Sequence, residues 1–178
     1  MQLRGTVLSK DGIMQSDFPL DLATCSCCQT SSVSTNDTVI VAYRDRSSDE
    51  TRDVSIKRLE SGVWSKAIKI HEDGWKIYGC PVNGPAIDAF SDSVFVVWFT
   101  AANDKPEIKV ATSRDAGLTF SAVRKIPSKR PIGNVDIKMI NEQTGIVSWL
   151  EWDGSKESLR ICKITFAGCS KAQVVSVN

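Results

Sequence analysis

The chain has 178 residues, of which 42% are hydrophobic, and its 22 Lys and Arg against 21 Asp and Glu leave a formal net charge of +1. This is one domain's worth of chain, long enough to bury a core. Basic residues are scattered among acidic ones without a run or stripe, so nucleic-acid binding is not implied, and no apolar stretch approaches the ~20 residues of a membrane-spanning helix.

In chain order, residues 1–8 and 13–20 flank the turn Ser9-Lys10-Asp11-Gly12 and read as a hairpin. Three four-strand units follow: 29–35, 39–43, 52–59 and 63–71; then 84–90, 94–98, 107–112 and 119–127; then 135–141, 145–149, 159–166 and 169–177. The second strand of each unit carries the clearest signal. Val39-Ile40-Val41-Ala42-Tyr43, Val94-Phe95-Val96-Val97-Trp98 and Gly145-Ile146-Val147-Ser148-Trp149 each follow a turn signal and begin 55 and then 51 residues apart. A period of this size marks a repeat of small supersecondary units. No window longer than about ten residues keeps a 3.6-residue apolar period, so the expected class is all-β.

Ser113-Arg114-Asp115-Ala116-Gly117-Leu118-Thr119-Phe120 spells Ser-x-Asp-x-Gly-x-Thr-aromatic. Asp115 is placed to cap free N–H groups of a tight turn, and Gly117 to take a positive φ. Thr119 and Phe120 are expected to start the return strand, with the ring under the hairpin. The motif resembles the Asp-box of sialidase-like β-propellers; Glu60-Ser61-Gly62-Val63-Trp64 and Phe166-Ala167-Gly168 look like worn copies. The resemblance implies a single partial propeller over 1–178, about three and a half four-stranded antiparallel blades: a half blade at 1–22, then blades at 23–76, 77–129 and 130–178. It covers about half of a six-bladed ring, and it gives Ser113, Asp115, Gly117, Thr119 and Phe120 a structural role.

In such a layout, the loop entering each innermost strand and the loop after each second strand share one face. On that face fall the ligand-binding candidates Arg44, Asp45, Arg52, Asp53, His71, Asp73, Trp75 and Asn83. Among them, Trp75 is the candidate to stack on a sugar ring. The combination Tyr43-Arg44-Asp45, Arg52-Asp53, Asp73-Gly74-Trp75, Gly79-Cys80-Pro81 and Gly84-Pro85 is similar to bacterial propellers grouped with the exo-α-sialidases, which are mostly exported. A sialidase needs three arginines on separate blades, a Tyr nucleophile and an Asp acid/base. Tyr78 and Asp73 are the catalytic candidates, and Tyr43 reads as a core aromatic. The family's Arg-Ile-Pro motif is missing, its nearest match being Lys125-Ile126-Pro127, and Arg44, Arg46 and Arg52 share one loop. The expected function is therefore a non-catalytic propeller that binds a carbohydrate or other polar ligand. The alternatives are a sialidase-type glycoside hydrolase and a half-propeller module completed by self-association.

Cys25-Ser26-Cys27-Cys28 and Cys80 fall in equivalent loops of adjacent units. A disulfide from Cys80 to Cys27 or Cys28, free thiols, and a soft-metal site for Zn(II) or Cu(I) with His71 as a further ligand all remain open. No other cofactor is expected. Cys162 and Cys169 are either buried small hydrophobes or a local disulfide. An open arc leaves the faces of 1–20 and 135–177 uncovered, so a homodimer is expected. Localisation stays open: Met1-Gln2-Leu3-Arg4-Gly5-Thr6-Val7 lacks the apolar core of a secretory leader, whereas similar proteins are mostly exported.

Overall fold

β-Branched and aromatic runs pair here into four antiparallel sheets, in a computed structural model that describes residues 1–175. β1 (Leu3–Leu8) and β2 (Met14–Asp21) form a hairpin. β3 (Ser31–Ser34), β4 (Thr38–Arg44) and β5 (Val54–Glu60) make a second sheet, with β6 (Val63–Trp64) and β7 (Ile68–Lys69) along the far side of β5. β8 (Ala86–Phe90), β9 (Ser93–Thr100), β10 (Glu107–Ser113) and β11 (Arg124–Ile126) make the third. β12 (Pro131–Asn141), β13 (Thr144–Trp152) and β14 (Glu157–Thr165) make the fourth, with β15 (Gly168–Cys169) and β16 (Gln173–Val175) beside β14. One 3₁₀ turn, Ala102–Asp104, interrupts the strands. The all-β expectation holds.

The outer strands differ from the sequence reading, and the difference has one cause. Residues 63–71, 119–127 and 169–177 each read as an unbroken strand, but each carries one extra residue against its neighbour. Ser65 bonds to Arg58 while Ile68 pairs with Ile56; Ser121 bonds to Thr112 while Arg124 pairs with Val110; Ser170 bonds to Lys163 while Gln173 pairs with Ile161. That is a bulge, and it interrupts the ladder each time. In all three, the Ser N–H donates to the neighbour's carbonyl and the Ser hydroxyl accepts the neighbour's N–H, at 3.0 to 3.2 Å. Thr119 and Phe120 therefore do not begin the return strand, which starts at Arg124. The final positions of the 169–177 strand lie outside the described residues.

The sheets stack in chain order. β8 lies against β3 on one side and β12 on the other, so the first strands of the three large sheets are neighbours. Ile40, Ala42, Val54 and Ile56 pack on Ile87, Val94, Val96 and Trp98 between the second and third sheets. Phe95, Val97 and Val110 pack on Val135, Ile137, Val147 and Trp149 between the third and fourth. Fully burying such side chains stabilises by about 1.5–3 kcal/mol each.

At the motif, Ser113 Oγ accepts the N–H groups of Asp115 and Gly117, and Asp115 accepts both the N–H and the hydroxyl of Thr119. The serine thus shares the capping that the sequence reading gave to Asp115. Gly117 has φ 76°, and a Cβ there would meet Ile40 Cδ1 at 3.0 Å. Arg58 Nε donates to the Ala116 carbonyl at 2.8 Å, which anchors the turn to β5 of the preceding sheet. Phe120 packs into the same interface.

Candidate functional site

The register separates two ends. Ser113 pairs with Val94 at the motif end of β9 and β10, and Glu107 pairs with Thr100 at the other end. Residues 22–30, 44–53, 71–85 and 100–107 gather at that second end, bound by the bridges Thr24–Asp45 and Thr51–Lys76 and by Arg52 N–H to the Trp75 carbonyl.

Arg44, at the end of β4, is the hub. It is 1% exposed, and its guanidinium donates to the carbonyls of Asn83, Arg52 and Phe99 at 2.7, 2.6 and 2.7 Å. It also lies 4.8 Å over the Trp75 ring, which meets Phe99 edge-on. Burial lowers its pKa. A buried cation satisfied by carbonyls ties three loops into one surface. Asn83 extends the tie: its amide donates to Ile132 O and accepts from Asn134 N–H. The neighbouring Gly133, at φ 103°, leaves no room for a Cβ against that amide.

The Asp73 side chain is buried as well, 1% exposed. It accepts from Lys109 Nζ at 2.5 Å and from Trp98 Nε1 at 2.7 Å, and His71 Nε2 stands 3.7 Å away. Asp53 accepts the Trp75 N–H at 3.3 Å and lies 3.6 Å from Lys69. Asp45 accepts from the Arg46 N–H and the Ser55 hydroxyl, and burial raises its pKa. Arg52 pairs with Glu50 at 2.5 Å. Arg44, Arg52, Asp53, Asp73 and Trp75 thus form the floor of this end. Lys109 was missed because it reads as one polar position in a strand. The signal lay in its neighbours: a Lys inside Ile108-Lys109-Val110-Ala111 is buried, and buried lysines are paired.

Tyr78 is 83% exposed, while Asp73 is turned inward. The tyrosine that does meet a carboxylate is Tyr43, 1% exposed, whose hydroxyl donates to Asp21 at 2.6 Å. Burial first, then Asp21, raises the Tyr43 pKa. That direction opposes ionisation.

The cysteines converge. Cys27 and Cys80 form a disulfide with Cα atoms 6.2 Å apart, joining the loops that enter β3 and β8. Cys25 and Cys28 are free and buried, with sulfurs 2.8 Å apart, and Cys25 Sγ is 3.5 Å from Cys27 Sγ. With Cys27 bonded, two thiols remain to a soft metal where a tetrahedral site needs four ligands. The two free thiols, Cys25 and Cys28, stand at Cys-x-x-Cys spacing within the run Cys25-Ser26-Cys27-Cys28. Cys162 and Cys169 form a second disulfide across the β14–β15 turn.

Above the floor, a recess of about 420 Å³ opens between residues 74–77 and 101–104. Ile77, with the edge of Trp75, gives it an apolar side, and Lys76, Asn103 and Asp104 its polar groups; Trp75 itself is only 7% exposed, with Arg44 over its ring, so the expected sugar-stacking face is taken up inside the protein. Asn103 and Asp104 have φ 56° and 58°. Asn and Asp tolerate this region better than most residues, and successive left-handed residues are unusual. No protein-family model matches the chain, and no curated protein matches it.

Proposed function

We propose that the chain is a sialidase-like, partial β-propeller that binds a carbohydrate or other polar ligand without hydrolysing it. The single observation that carries this is the recess between residues 74–77 and 101–104. It offers a hydrophobic side beside a cation, a carboxylate and an amide, which suits a sugar's apolar face and hydroxyls. The three-fold serine bulge and the succession β3, β8, β12 support reading the three large sheets as consecutive blades. The committed donors of Arg44 and the raised pKa of Tyr43 favour binding over hydrolysis.

Glycan-array screening followed by calorimetry tests the reading. Asn103→Ala with Asp104→Ala is expected to weaken the best ligand at least tenfold with the circular dichroism unchanged. Absence of any glycan bound below millimolar concentration refutes the carbohydrate reading and leaves only a different polar ligand for the recess. Turnover of a fluorogenic sialoside at about 1–10³ per second refutes the non-catalytic one.

Association with a second copy is the assembly this reading implies. Hairpin β1–β2 and its turn expose Val7, Leu8, Ile13 and Met14, beside a largely apolar recess of about 530 Å³ that includes Phe18, Leu59 and Trp64. Grouped exposed apolar side chains mark interaction surfaces. Light scattering is expected to give twice the 19.5 kDa chain mass; a mass of one chain, unchanged on dilution, refutes pairing.

A further inference from the structure

We propose that Cys25, Cys27, Cys28 and Cys80 form a thiol–disulfide exchange site that accepts an external thiol. Two features separate it from a pair of structural crosslinks. The Cys27–Cys80 disulfide joins two exposed residues, whereas Cys25 and Cys28 are a buried dithiol directly beneath. Exposed disulfides are the labile ones. Cys25 Sγ, 3.5 Å from Cys27 Sγ, already stands at sulfur–sulfur contact distance, and Cys28 Sγ stands 2.8 Å behind it.

The surroundings assign the roles. Arg52, its side chain 7% exposed, has a buried Nε–H without an acceptor, and Cys25 is among the groups that act on its guanidinium. The buried Arg44 cation lies within electrostatic range of Cys28 and Cys25. Cations at this distance stabilise the negative charge that passes between sulfurs during exchange. Burial first, then Cys25, pushes the Cys28 pKa up to about 11. Cys28 thus keeps its proton, and Cys25, whose sulfur lies at contact distance from Cys27, is placed to make the attack.

The steps balance without an oxidant. An external thiolate attacks Cys27 Sγ; the Cys27–Cys80 bond breaks and Cys80 leaves as thiolate, taking a proton from solvent. Cys25 thiolate attacks Cys27 Sγ, forms Cys25–Cys27 and releases the external thiol unchanged. Cys28, giving up its proton, attacks Cys25 Sγ, forms Cys25–Cys28 and frees Cys27. One disulfide is present at the start and one at the end, so no net electrons are transferred. Cys25 can make the same attack directly, with Cys80 as the leaving group.

The test is full-length protein incubated with reduced glutathione at pH 8, acid-quenched, alkylated and mapped by non-reducing peptide mass spectrometry. Wild type is expected to show Cys25–Cys28 linkage with alkylated Cys27 and Cys80. Cys25→Ser is expected to lack that linkage and to accumulate at least tenfold more glutathione adduct on Cys27 or Cys80. Cys28→Ser is expected to stall at Cys25–Cys27, which keeps the test valid if one variant folds poorly. Cys27–Cys80 as the sole linkage in wild type, with equal adduct in wild type and Cys25→Ser, overturns the proposal. So does native mass spectrometry showing a zinc or copper ion held by all four cysteines.

Discussion

Lys109 and Asp73 form an ion pair of 2.5 Å beneath the loops of one end, with both side chains nearly buried. Trp98 completes the cluster through its indole N–H. Removing one partner of such a pair strands the other's charge, which costs about 3–5 kcal/mol, whereas replacing both by apolar groups is often neutral. Asp73→Ala is therefore expected to lower stability by about that amount, and Asp73→Ala with Lys109→Met to recover most of it. Urea denaturation checks this; a loss below about 1 kcal/mol for Asp73→Ala would place the pair in the range of exposed salt bridges.

Tyr43 and Asp21 give the molecule a pH dependence on its alkaline side. Burial and the nearby carboxylate hold the Tyr43 pKa above its usual value of 10.0. A group raised in the folded state contributes stability fully present below its unfolded pKa and lost as pH rises beyond it. Cys28, moved from 9.0 to about 11, acts in the same direction. Melting temperature is expected to fall from about pH 9 upward, with the decline above pH 10 flattened in Tyr43→Phe. An identical decline in Tyr43→Phe would show that the phenol is not responsible.

Strand content and order were legible because the second strands are rich in β-branched residues and each brings an aromatic into the core, with β9 buried on both faces and β13 alternating buried and half-buried positions. The outer strands were only half legible. Their bulges depend on Ser65, Ser121 and Ser170, and a lone serine in an outer strand does not announce a bulge until its partners Arg58, Thr112 and Lys163 are in register. At the candidate site, residue type indicated position but not commitment. Arg44, the last residue of β4, and Asp73 lie at the expected end, yet their donors and acceptors are consumed by Phe99, Lys109 and Trp98, which come from the next sheet. Those partners lie 25 to 55 residues away, beyond any local pattern.

The turn at 113–119 makes a third prediction. Gly117→Ala places a Cβ at φ 76° against Ile40 at 3.0 Å, so strain and crowding coincide. The expected cost is about 1–3 kcal/mol. Ser113→Ala removes the acceptor for two N–H groups, at a cost of about 1–2 kcal/mol. Burial opposes ionisation of Asp115, but bonds from Ser113 and Thr119 outweigh it, and its pKa is lowered. Its contribution is present above the unfolded pKa of 3.8 and lost as pH falls. Thermal melts of Asp115→Ala from pH 7 to pH 3 should show a shallower acid decline than wild type; parallel curves would refute this.

The two disulfides should differ in worth because they close different lengths of chain. Cys27–Cys80 spans 53 residues and ties two sheets, whereas Cys162–Cys169 spans 7 within one hairpin. The entropy removed from the unfolded chain grows with the logarithm of the loop, giving about 4 kcal/mol for the first and about 2 kcal/mol for the second. Cys27→Ser with Cys80→Ser alters two exposed positions, so little packing loss confounds the comparison. Cys162→Ala with Cys169→Ala also trims a core residue, since Cys162 is 3% exposed, and that adds to the smaller term. The long crosslink is still expected to show the larger loss in guanidinium denaturation. Equal losses, or a larger one for the short loop, would mean that packing around Cys162, and not chain entropy, sets the contribution of these bonds.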